Sequence, residues 1–229
     1  GLGLNAVLID VFEASKVAFT MWMLIGIGVG LMTLQKQSNI NYKIELWKLL
    51  VTTPALIIYL LIFDVVIFSM ITANYFVGDD FTWLRWAAES NLSDIPKYFI
   101  DAQGFFYRPI DKTVMYVLYT LFSFQPQGYH LFAIFSHISM TIGVFLVADK
   151  IFKKRIYSTL AGFLFLVLPA HAENIYWIST ISTNLAAIFM IYGLLAFLYV
   201  RENKSWFAYI LVVLFGILAL LSYEMAIVY

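Results

Sequence analysis

The chain has 229 residues, 62% of them hydrophobic and 12% charged, against about 25% charged in an ordinary soluble domain. Successive apolar stretches of about 18 residues mark an all-α, multi-spanning integral membrane protein and exclude a soluble enzyme. The 14 basic and 14 acidic residues cancel, which leaves no field for nucleic acid, and the absence of cysteine excludes disulfides, thiolate metal sites, Fe–S clusters and a cysteine nucleophile.

Hydropathy predicts about six transmembrane helices, at residues 17–34, 49–71, 129–148, 153–170, 183–200 and 206 to the end. In the first, Gly26 and Gly30 have the GxxxG spacing that lets helices pack closely, and no strand precedes them to make a dinucleotide fingerprint. In the second, Asp64 costs about 3 kcal/mol at mid-membrane unless it is paired or near water, so it reads as a packing or polar-cavity residue.

Residues 74–112 form a loop too long for a simple connection. Gly78-Asp79-Asp80 precedes a short helix with Trp83 and Trp86 on one side, suited to the membrane interface. A carboxylate at the helix N-terminus stays ionised, as a general base requires; the same Asp-Asp also reads as a helix cap through Asp80 and nothing more. Arg108, in Tyr107-Arg108-Pro109, is the first candidate to hold a phosphate through its planar fork and Arg85 the second; an anchor to lipid headgroups is the other reading of Arg108.

Residues 113–124 are too few to cross. Thr113, Tyr116, Thr120 and Ser123 share one face and Val114, Val117, Leu118 and Leu121 the other, which predicts an interfacial helix. His130 and His137 stand two turns apart on one helix face, and His137 also reads as one half of an interhelical hydrogen bond. His171 and Glu173 follow the next span as two near ligands without a third, more consistent with a hydrogen-bonded pair than a metal site. Glu224 closes the chain's last motif.

If residues 113–124 do not cross, Lys36, Lys43, Lys48, Lys150, Lys153, Lys154, Arg155, Arg201 and Lys204 collect on one side, nine of the 14 basic residues in three short loops. That is the positive-inside pattern, and it sends residues 74–112, 171–179 and Glu224 to the outer face. If they do cross, the rule fails.

Taken in order, Asp79-Asp80, Tyr107-Arg108-Pro109, the interfacial helix, Gly128-Tyr129-His130-Leu131, His137, the run from Pro169 through Glu173 to Ser179, and Ser222-Tyr223-Glu224-Met225-Ala226 resemble the N-terminal membrane half of GT-C glycosyltransferases. The nearest resemblance is to the protein O-mannosyltransferase group and the transmembrane-and-tetratricopeptide-repeat proteins, over residues 47–229. Residues 1–46 form an extra N-terminal helix and linker outside the match, and residues 47–229 read as a GT-C-like transmembrane module truncated at its C-terminal end. The resemblance implies two interfacial helices in the first outer loop and transfer of a sugar, with inversion, from a polyprenyl-phosphate donor to an acceptor hydroxyl on protein or glycan. It implies Asp79 as catalytic aspartate, Asp80 as its acidic neighbour, and Arg108, His130, His137, His171, Glu173 and Glu224 as motif residues around the substrates. The chain departs from the family at Ala133, often Asn; at Thr180-Ile181-Ser182-Thr183, often Gly-Arg-x-Asp; and at Tyr223, often Lys.

No metal or other cofactor is expected, since polyprenyl phosphate leaves with its own charge and cationic side chains can stabilise it. The expected setting is a bacterial or archaeal plasma membrane or the ER membrane. The alternative is a non-catalytic accessory subunit in a larger membrane complex. A transporter or channel is disfavoured by spans with only Asp64 and His137 as clear ionisable groups and no paired broken helices.

Overall fold

The computed structural model describes residues 52–102, 106–168 and 172–228, so the expected span at 17–34, its GxxxG pair and His171 lie outside the described residues. The described elements are helical throughout. Helix α1 (Thr53–Phe68) starts where Thr52 Oγ1 accepts the Ala55 N–H at 3.4 Å, and it runs on through a 3₁₀ turn, Ser69–Ala73. Then come α2 (Asp80–Glu89), the one-turn α3 (Ile95–Tyr98), α4 (Pro109–Phe122), α5 (Pro126–Phe152), α6 (Arg155–Val167), the short α7 (Ala172–Tyr176), α8 (Ile181–Asn203) and α9 (Trp206–Ser222).

Among the described residues, three helices are long and apolar enough to cross a membrane: Thr53–Ala73, Pro126–Phe152 and Ile178–Asn203. The protein is an integral, multi-pass membrane protein. Two further apolar helices, α6 and α9, are shorter. The 18-residue span expected at 153–170 is a 13-residue helix, about 20 Å long. It starts late because Lys153 takes a left-handed conformation (φ 53°) and ends early because Leu168, ahead of Pro169, is extended.

Helix α5 is the hub, packed against α1, α6 and α8, while α9 packs on α8. The α5–α6 and α8–α9 hairpins turn through Lys153 and Lys204, both left-handed, and Lys150 Nζ donates to Glu202 Oε2 at 2.7 Å to join the two turns. Lys150, Lys153, Arg201 and Lys204 thus stand at helix C-termini, where positive charge is favoured, as well as at one end of the bundle.

Helices α2 and α4 dock on the opposite end. Trp83 and Leu84 of α2, Met115 and Leu118 of α4, Tyr129 of α5 and Ile181 and Leu185 of α8 form one buried cluster. The expected interfacial helix begins earlier, at Pro109, where a missing N–H costs nothing. It buries Asp111, Lys112, Met115 and Leu118, and leaves Val117 and Leu121 exposed. The α4–α5 turn is tight: a Cβ at Gly128 would stand 2.2 Å from the Phe122 ring. Gly128→Val is therefore expected to cost about 1–3 kcal/mol by overpacking, read as a lowered thermal midpoint in detergent.

Candidate functional site

Two polar clusters stand at the end of the bundle away from Lys150–Glu202, and both are tied to the start of α8. The first is built on the loop before α2. Gly78 has φ +52°, a conformation that glycine tolerates, and turns the chain into Asp79 and Asp80. Asp79 occupies the N-cap position and is exposed; its carboxylate makes no side-chain cap. Its carbonyl accepts the Thr82 and Trp83 N–H groups at 2.9 and 3.2 Å. The carboxylate is therefore exposed at the positive end of a ten-residue helix.

Asp80 does not cap the helix as expected. It is buried at 1% exposure, and its Oδ2 accepts the Val77 N–H at 2.9 Å. Its Oδ1 accepts both the N–H and the hydroxyl of Ser179, at 2.8 and 2.6 Å. A carboxylate with three donors is a clamp between the loop before α2 and the turn before α8, fixing the backbone on either side of Asp79. His130, fully buried on α5, lies within electrostatic reach of Asp80.

The second cluster is centred on Arg108, which precedes α4 and is 9% exposed. Its Nε and Nη2 donate to the two oxygens of Glu224 at 2.7 and 2.5 Å, and Nη1 donates to Ser182 Oγ at 3.3 Å. The rings of Phe106 and Tyr223 each lie 4.4 Å from the guanidinium carbon. Tyr223 thus contributes a cation–π contact. Arg108 holds the Glu224 carboxyl below its usual range by hydrogen bonding.

Beneath this pair lies Asp111, pushed up to about 8 by burial, with Arg108 and Lys112 opposing the shift and Glu224 adding to it. Lys112 Nζ donates to the Ala102 carbonyl at 2.7 Å and stands 5.6 Å over Trp86; burial lowers its pKa. Since folding raises the Asp111 pKa, stability is fullest below about 4 and falls as pH rises through about 8, with a limiting slope of about 1.4 kcal/mol per unit. Asp111→Asn is expected to flatten the decline of the thermal midpoint between pH 5 and 9.

The remaining candidates scatter. Arg85 is exposed and paired with Glu89 at 3.0 Å, one turn along α2. Glu173 is exposed on α7. His137 is wholly buried, its Nδ1 2.7 Å from Asp64 Oδ2, with Phe68 and Phe165 against its ring. The interhelical hydrogen bond that one reading of His137 anticipated is present, and it pairs Asp64 through Oδ2. Among the described residues, no three His, Asp or Glu side chains gather to hold a metal ion. Sequence reasoning missed Ser182, Asp111 and Lys112; the available signal was a charged pair, Asp111-Lys112, opening an apolar helix.

Over 121 residues, 53% of the chain, the sequence is 30% identical to Protein O-mannosyl-transferase Tmtc1 of Drosophila melanogaster. The match spans 14% of that protein's length. It is a distant, partial homology to a protein named as a glycosyltransferase. No family model and no solved structure matches the chain.

Proposed function

We propose that this chain is the GT-C-like transmembrane module of a membrane glycosyltransferase that moves a sugar from a polyprenyl-phosphate donor to an acceptor hydroxyl on the outer face of the membrane. The observation that carries the reading is an exposed Asp79, held between clamped backbone at a helix N-terminus. It lies at the end of the bundle away from the basic hairpin turns, and the partial match to a protein O-mannosyl-transferase supports the same class. On this reading the described helices belong to a module of about six transmembrane helices, with α2 and α4 lying in the interface.

Asp79 takes the proton of the acceptor hydroxyl as that oxygen bonds to the anomeric carbon. The bond from that carbon to the phosphate oxygen breaks, and the polyprenyl phosphate leaves with the electron pair. Attack from the side opposite the phosphate inverts the centre. Positive charge from Arg108 suits the departing phosphate, and Asp80 keeps Asp79 in place through Val77 and Ser179.

One observation favours a second reading, a non-catalytic accessory subunit: the Arg108 guanidinium is already paired by Glu224. The full-length protein, reconstituted in liposomes with polyprenyl-phosphate sugars and hydroxyl acceptors, separates the two. Transfer that inverts the anomeric centre supports the enzyme, and no transfer with any donor supports the subunit.

A further inference from the structure

Resting on that reading for the class of ligand, we propose that Glu224 occupies the place of a lipid phosphate on Arg108, and that the groove between α8 and α9 is the berth of that lipid's apolar tail. Glu224 presents two oxygens to the Nε–Nη2 edge of the guanidinium, as a phosphate does. Phe106 and Tyr223 cover the faces of Arg108, and Ser182 takes Nη1. The edge held by Glu224 is the one open to exchange, because the Glu224 side chain is 52% exposed whereas that of Arg108 is 11%.

Glu224 belongs to a 3₁₀ turn, Glu224–Val228, whose Ala226 and Ile227 also line an apolar groove of about 430 Å³ along α8 and α9. Phe189 and Phe197 of α8 and Gly216 of α9 line the rest of its length. The groove therefore ends at the segment that bears the anionic partner of Arg108. A long apolar chain headed by one phosphate matches both parts, the head by charge and the tail by hydrophobicity. Binding exchanges the Glu224 carboxylate for the phosphate and displaces the turn from the groove's outer end. Gly216 leaves the berth open, since a Cβ there would meet nothing within 4 Å.

The test is binding of fluorescently reported geranylgeranyl phosphate to the full chain in detergent micelles, with geranylgeraniol and inorganic phosphate as competitors. Removing the competing charge in Glu224→Gln should tighten binding about tenfold, and Arg108→Gln should weaken it about tenfold or more. Gly216→Phe should fill the groove, weaken binding at least about tenfold and leave the thermal midpoint unchanged or raised, as glycine is the poorer helix former. Geranylgeraniol should compete weakly and inorganic phosphate more weakly still. Unchanged or weaker binding by Glu224→Gln overturns the exchange, and wild-type affinity in Gly216→Phe overturns the berth. Competition by inorganic phosphate as strong as by the lipid also overturns the berth. The readout is binding alone, so a chain that binds as described and never transfers sugar sinks the enzyme reading while this proposal stands.

Discussion

Asp79→Asn is expected to slow sugar transfer by about 10² to 10⁴, the usual loss on removing a general base, with donor affinity unchanged. The amide keeps the volume and the exposed place but cannot accept the acceptor's proton. Asp80→Asn should also impair transfer, by another route. Asp80 accepts three hydrogen bonds through both oxygens. An amide NH₂ must face at least one backbone N–H there, and hydrogen bonds to a charged group are worth about 1.5–3 kcal/mol each. Its signature is therefore a lowered thermal midpoint together with lost activity, whereas Asp79→Asn should unfold like the wild type. Transfer at the wild-type rate by Asp79→Asn would remove the catalytic assignment.

Asp64→Leu and His137→Leu are each expected to destabilise the bundle by about 3–5 kcal/mol, because each strands the other polar group in a fully buried site. Thr141 Oγ1 donates a second bond to Asp64 Oδ2 at 3.3 Å and would lose its acceptor in the first variant. The double Leu variant should recover most of the loss, since both partners are then gone and the neighbours Phe68 and Phe165 are apolar. Unfolding of the four proteins in mixed micelles gives the coupling directly. Single variants that unfold like the wild type would show that the pair does not hold α1 to α5.

Much of the fold was legible from hydropathy. The spans at 49–71, 129–148 and 183–200 correspond to Thr53–Ala73, Pro126–Phe152 and Ile178–Asn203, because long apolar runs form helices with little competition. The 153–170 span was overread because hydropathy does not see the left-handed Lys153 or the extended Leu168. The start of α4 was missed because charged residues are expected in loops, yet Asp111 and Lys112 are buried. At the candidate site, the residues were legible and their partners were not. Arg108 meets Glu224 across 116 residues and Asp80 meets Ser179 across 99. No periodicity links positions so far apart; the fold alone joins them.

On the proposed reading the candidate site faces the outer water while the basic turns face the cytoplasm. Ser93 and Lys154 are both exposed, one between α2 and α3 and one between α5 and α6. The absence of native cysteine makes each a clean single-cysteine position. Intact cells expressing Ser93→Cys or Lys154→Cys should be treated with a membrane-impermeant maleimide, before and after permeabilisation. The expected result is labelling of Ser93→Cys in intact cells and of Lys154→Cys only after permeabilisation. Labelling of Lys154→Cys but not Ser93→Cys in intact cells would place the Asp79 and Arg108 clusters on the wrong face and contradict the account.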